Sequence, residues 1–359
     1  MILKRIREML TIIPGRKCIA VLFAMLMFPG AASAAQTLIY SDHEPLGGMR
    51  TRFINDVFFP AIEKESHGRL KVEAHWGGEL SDGYTALAMA GKGDKADMAV
   101  VVPEYAAKAL PLQQIFKSFP VGPAGEKQVA FFRRVYADIP DFSAELKKEN
   151  VVNVFIATGY PLAFFSTTAL SNPEGLKGGT WRSASFWHQG FLKNVGAKAV
   201  TMPWGDETYK ALQSGSLDGL MLNVDSGYAL NAQRFAPDVL VSRDLWLGHV
   251  YLLVMNKNTW DNLSRDDRAA IQRAADVAYQ SLGSVMDKSF TTQVADLEKS
   301  GATVRILHSE DVAQWKAATR YQEIQSEWVK EQEKNGLTEA GRVMNQVSSI
   351  LDEMVSPTP

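Results

Sequence analysis

Leu70–Trp76 carries the clearest alternation in the chain, with Leu70, Val72, Ala74 and Trp76 on one side and Lys71, Glu73 and His75 on the other. A period of two predicts a strand with one buried face. Before it, Thr37–Ser41 reads as a first strand, and Phe53, Val57, Phe58 and Ile62 recur at helical spacing across Met49–Ser66. After it, the pattern predicts a helix over Ser81–Gly91 with Ser81 as N-cap. Asp97–Val102 lacks alternation, as a strand covered on both faces does. This β-α-β-α-β order predicts a first α/β lobe. Gly125–Asn150 is helical in pattern, with a break near Pro140. Val151–Ala157 then reads as a buried strand, after which the chain is expected to cross into a second lobe.

The segment Leu176–Asn223 repeats the alternation of strand and helix. A strand ends on Arg182, and an amphipathic helix carries Phe186, Gln189, Gly190, Leu192 and Lys193. A short strand follows at Lys198–Met202, then a helix from Gly205 to Ser214, then a strand at Gly219–Asn223. Such spacing requires crossover connections and a largely parallel sheet. Asp238–Val241 and Val250–Met255 read as strands returning toward the first lobe. A long helix begins at an N-cap, Ser264, with Asp266 and Asp267 in its first turn. Its apolar stripe runs through Ile271, Ala275, Ala278, Leu282, Val285, Val294 and Leu297, so the helix is about 50 Å long and is expected to straddle both lobes. Thr303–Leu307 is a last strand, and helices follow over Ser309–Glu333 and Thr338–Met354. The division expected is a leader at 1–34, a first lobe from 35–157 plus 245–283, and a second from 158–244 plus 284–359.

The leader is set apart by its composition. Lys4, Arg5, Arg7, Arg16 and Lys17 precede or flank an apolar run, Cys18–Phe28, which Pro29-Gly30 breaks before Ala32-Ser33-Ala34. Basic segment, apolar core and small-x-small site together describe a cleavable signal peptide and hence secretion. Cys18 is the single cysteine, so the mature chain has none and must hold together by its core. The whole chain is formally −2, and the leader's five bases and one acid leave the mature protein about −6. No basic run interleaved with aromatics appears, which argues against nucleic acid. No second apolar stretch reaches membrane-spanning length, and a monomer not inserted in the membrane is expected after cleavage.

Candidate chemistry is of the binding kind. In α/β sheets ligands sit beyond the carboxyl ends of strands, where the pattern places Arg182 and Asn223, with Trp204 at the strand-to-helix turn between them. A guanidinium offers a planar fork that matches a carboxylate bidentately. The competing reading pairs Arg182 structurally with Asp206 or Asp225. Trp204, between Pro203 and Gly205, is the best aromatic to pack on a ligand, with Tyr160 and Phe186 as further aromatic candidates. Glu44 and Glu79, in loops after predicted strands, and Asp225 complete the candidate set. His43-Glu44 lacks the rest of an H-E-x-x-H signature, so no metal is implied. No G-x-S-x-G elbow, P-loop or mature cysteine nucleophile is present. No cofactor is implied.

The runs LKGGTWR, VGA, MPWGDETYKALQSG and LDG, with GRLKVEAHWGGEL and KADMAV upstream, resemble the solute-binding proteins of TRAP transporters, the DctP-like family. The resemblance covers essentially the whole mature chain. It implies a two-lobed periplasmic binding protein fold that closes on an organic acid, with Arg182 meeting the carboxylate. It also implies membrane partners, the small and large TRAP subunits. Two departures stand out. Many members carry a second Arg after the fourth strand, where this chain has Gly159-Tyr160-Pro161, and Asn223 is offset by one residue from a family Asn. The first departure disfavours ligands gripped by two arginines and favours a monocarboxylate with an apolar or aromatic body. A secreted enzyme and a periplasmic ligand sensor remain the alternatives.

Overall fold

The computed structural model describes residues 35–355; the predicted signal peptide lies outside them. Strands β1 (Gln36–Ser41), β2 (Leu70–His75), β3 (Met98–Val101) and β4 (Val151–Thr158) belong to one sheet. The chain then crosses, and β5 (Leu162–Ser166), β6 (Thr180–Arg182), β7 (Lys198–Val200), β8 (Gly219–Asn223) and β9 (Asp238–Val241) belong to a second. It crosses back for β10 (Val250–Asn256) and returns for β11 (Thr303–Ile306). The orders are β2-β1-β3-β10-β4 and β11-β9-β5-β8-β6-β7. This is the two-lobed α/β architecture, with one correction: Asp238–Val241 does not return to the first sheet but pairs with β5 and β11 in the second.

Each sheet is parallel except for one strand. β10 runs antiparallel between β3 and β4, and β5 antiparallel between β9 and β8. Each of these strands follows a crossing, so each sheet is completed by chain that has just left the other. The two crossings lie side by side. Gly159 N–H donates to the His249 carbonyl at 3.2 Å and Leu162 N–H to the Leu245 carbonyl at 3.1 Å. Gln128 ties them laterally: its Nε2 donates to the Gly159 carbonyl at 2.8 Å and its Oε1 accepts from Trp246 Nε1 at 2.6 Å. Side chains cannot fit everywhere in this seam. A Cβ on Gly159 would lie 2.8 Å from Asn223 Nδ2, and Gly248, at φ +58°, would place one 2.2 Å from the Phe116 carbonyl.

The long helix, Arg265–Lys299, spans 35 residues, and Ser264 caps it by accepting from Asp267 N–H. Its buried face includes Ile271, Ala275, Ala278, Leu282, Met286, Phe290 and Leu297, with Met286 in the buried place expected of Val285. It packs on helices Phe59–Glu65 and Gly125–Asp138 near the first sheet and on Val224–Ala229 and β11 at the second. None of the helices in the described residues is long and apolar enough to cross a membrane.

Three local differences from the pattern have plain causes. The Met49–Ser66 helix widens into a π turn at Ile54–Phe58, where Phe59 N–H reaches back to the Ile54 carbonyl. Pro60 follows, and its missing N–H and ring bulk displace the ordinary ladder there. Ser81 does not cap a helix. The helix starts at Ala86, and Ser81 is buried with its hydroxyl 3.2 Å from that of Ser41, while Asp82 accepts from Thr85 N–H at 2.8 Å. The Ser309–Glu333 helix divides at Arg320, whose φ is +49°. The final helix, Ala340–Val355, packs on Gly125–Asp138 and on Tyr321–Lys334.

Candidate ligand-binding site

The ends of β3, β6 and β8 and the start of β10 converge on a cavity. β6 delivers Arg182, which is 3% exposed. Its Nε and Nη2 both donate to the Met202 carbonyl, at 3.1 and 2.7 Å, which orients the guanidinium plane. No carboxylate lies within ion-pair distance of it, neither Asp206 nor Asp225, among the described residues. A buried cation without a counter-ion is costly unless something else compensates it. The other buried bases at this edge are already matched. Arg50 is held by Asp42 at 2.6 and 3.0 Å and by Glu44 at 2.9 Å, and its guanidinium lies 4.3 Å from the Tyr251 ring centre. Burial would raise the Asp42 carboxyl, but Arg50 outweighs it and holds the group below its usual range.

Lys117 is paired too. Its Nζ lies 3.1 Å from Glu104 Oε1 and donates to His249 Nδ1. Glu104 stands in the 3-10 turn Pro103–Ala106 that follows β3, and Lys117 in the 3-10 run Leu112–Ser118. Burial pushes Glu104 up, yet the Lys117 ammonium beside it holds it well below the carboxylate range. Burial, reinforced by Lys117, lowers His249 and drives His188 well down, so both imidazoles are neutral at pH 7. Ser183, next after Arg182, lies 3.2 Å from His188 Nδ1. Tyr105 is pushed up to about 12 by burial, with Arg182 opposing the rise.

Four of the sequence candidates line this cavity: Arg182, Trp204, Asn223 and Glu44. Trp204 is half-buried and donates Nε1 to the Ser226 carbonyl at 3.0 Å. Asn223 caps the next helix through Oδ1 and turns Nδ2 toward Tyr251 at 3.5 Å. Glu44 lines the wall with a carboxylate engaged by Arg50. The other four lie elsewhere. Asp225 lines an adjoining groove with Glu44 and Trp204. Tyr160 is buried beside Phe290. Phe186 is 38% exposed and lies against Trp187 with ring centres 4.9 Å apart, outside the lining of this cavity. Glu79 is exposed and pairs with His75 at 3.0 Å. Helix Phe186–Asn194 turns its first residue outward and its third, His188, inward.

A model of the DctP family, described as bacterial extracellular solute-binding protein, family 7, matches residues 54–330. The chain belongs to this family. No curated protein matches it by sequence. Solved structures similar to this family 7 chain include a TRAP solute-binding protein from Rhodoferax ferrireducens with copurified benzoate, at 17% identity and TM-score 0.78 over 89% of this chain and 98% of that one. A marine metagenome protein specific for aromatic acids, crystallised with 3-hydroxybenzoate, is 18% identical with TM-score 0.78 over 90% and 100% of the two chains. The periplasmic ectoine-binding protein of the Halomonas elongata TRAP transporter is 18% identical with TM-score 0.77 over 89% and 100%. At these identities the likeness is one of fold.

Proposed function

We propose that this family 7 protein captures an organic monocarboxylate outside the cytoplasm and delivers it to the small and large membrane subunits of a TRAP transporter. The reading rests on Arg182. It is a buried, oriented guanidinium with no carboxylate within ion-pair distance among the described residues, in a cavity where Arg50 and Lys117 are paired. A ligand carboxylate supplies the missing charge and accepts from the guanidinium edge that Met202 leaves free. Lobe closure follows from the same contact. The ligand joins Arg182 of the second sheet to walls from the first, such as Glu104 and Tyr251, so it favours the closed state by the difference in its contacts. Val102, Leu222, Leu247 and Trp204 supply apolar walls for the body of the acid. In this scheme the lobes comprise 35–157 plus 245–283 and 158–244 plus 284–359, and the chain acts as a monomer.

Arg182→Ala is expected to lower affinity by about 2–5 kcal/mol, roughly 30-fold to several-thousand-fold. Its melting temperature without ligand should fall by no more than about 3 °C, since the wild-type charge is uncompensated. Arg182→Lys should recover little, because an ammonium keeps the charge but loses the fork. Calorimetry against a panel of acids reads all three. A variant that binds within about threefold of wild type would remove this reading.

Secretion is part of the proposal. The leader is removed after Ala34, and intact mass of periplasmic protein should begin at Ala35 or within a residue or two. Retention of Met1 on periplasmic material would count against it.

A further inference from the structure

The carboxylate contact leaves a second polar group in the cavity unused. Glu104 and His249 both line it, at 4% and 9% side-chain exposure. Glu104 engages the Lys117 ammonium through Oε1, and Oε2 has no hydrogen-bond partner among the described residues. His249 Nε2 is likewise unpartnered. The roles of these atoms follow from Lys117. Lys117 Nζ stands against both His249 Nδ1 and Glu104 Oε1, which are themselves 3.1 Å apart; an ammonium bridging the two only donates, so Nδ1 accepts from it and the neutral ring carries its proton on Nε2. The cavity thus holds one free buried acceptor and one free buried donor on neighbouring side chains.

We infer that Glu104 Oε2 and His249 Nε2–H form an acceptor–donor pair that recognises a hydroxyl or secondary-amide group on the acid whose carboxylate meets Arg182. This rests on the proposed function. A hydroxyl satisfies both atoms at once, donating to Glu104 and accepting from His249. An amide edge does the same with N–H and C=O. A plain apolar acid leaves both atoms buried and unpaired, which sites of this kind reject strongly. A second carboxylate satisfies His249 but brings its charge against ionised Glu104, so the pair also excludes diacids. Lys117 acts here as a positioning residue: it fixes the tautomer of His249 and keeps Glu104 charged.

Matched acids test this on the full mature protein by calorimetry. One series is 3-hydroxybenzoate, benzoate and isophthalate; the other is 4-hydroxybutyrate, butyrate and succinate. The hydroxylated member should bind at least about tenfold more tightly than its parent in one series, with the diacid weakest. Glu104→Gln and His249→Phe should each shrink that ratio below about threefold, whereas Arg182→Ala weakens all members of the series together. If one of the two variants fails to fold, the other and the wild-type ratio carry the result. Equal binding of parent and hydroxylated acid in both series overturns the inference, as does a ratio unchanged by either variant. If no acid binds wild type at millimolar concentration, the carboxylate reading falls and this inference with it. A ratio that responds to Glu104→Gln while Arg182→Ala is silent overturns the role of Arg182 alone.

Discussion

Two carboxyls, Glu145 and Asp225, are pushed up to about 7. Burial is the main cause for both. For Asp225 the nearby Glu44 adds to it, and for Glu145 it outweighs two backbone donors, Leu112 N–H at 2.8 Å and Gln113 N–H at 3.2 Å. Between the unfolded value near 4.5 for a glutamate and about 7, the native state holds the extra proton. Stability therefore falls as pH rises through that window and levels off above it. Asp225 is only half-buried, and solvent screening keeps its share to about 1 kcal/mol. Glu145 is 4% exposed, and its share is about 2–3 kcal/mol. Glu104 and Asp42 act oppositely, since the stability they confer is lost only as pH falls through their lowered values. Glu145→Gln should flatten the decline in melting temperature from pH 5 to pH 8; curves parallel to wild type would refute the assignment. At this scale the sequence discloses part of the cavity. Arg182, Trp204 and Asn223 stand at strand ends or turns where a rule about parallel sheets directs attention. Glu104 and Lys117 sit in short 3-10 segments without periodicity, where a charged residue looks like a solvated loop.

The elements explain the rest of that gap. A search of the carboxyl ends of parallel strands finds the ends of β6 and β8, and the same rule applied to β3 reaches Glu104 three residues on. It cannot reach His249, which precedes its strand. β10 is antiparallel, with Val250 opposite Thr158 at the end of β4, so its amino end lies at the ligand-facing edge. β5 does the same in the second sheet, where Leu162 opposes Asn223. Strand direction is a tertiary property, and the apolar run Val250–Met255 gives no sign of it. The pattern did locate nearly every strand, because burial on one or two faces writes itself directly into composition. Helix limits were less legible at Ser81 and Arg320. There a buried hydroxyl and a left-handed residue decide the boundary, and neither alters hydrophobic spacing.

For the whole molecule, the fixed seam between the crossings and the long helix set what can move. Gln128, Gly159 and Trp246 are hydrogen-bonded as one unit, so closure is expected to bend the segments around that unit rather than break it. The interleaved strands also govern how the chain acquires its structure. β10 fills the place between β3 and β4, although roughly 150 positions separate it from β3 along the chain. Until residues 250–256 arrive, the first sheet has a gap between β3 and β4, with two open edges where backbone groups lack partners. Pairings so distant in sequence form slowly, because loop closure must precede the contacts that reward it. The amino-terminal half is consequently unable to act as an independent folding unit. A fragment spanning 35–160 should show the circular dichroism and narrow amide dispersion of an unfolded chain, and the complete 35–359 chain should fold in a single cooperative step. A fragment that melts sharply on its own would show that the first sheet holds together without β10.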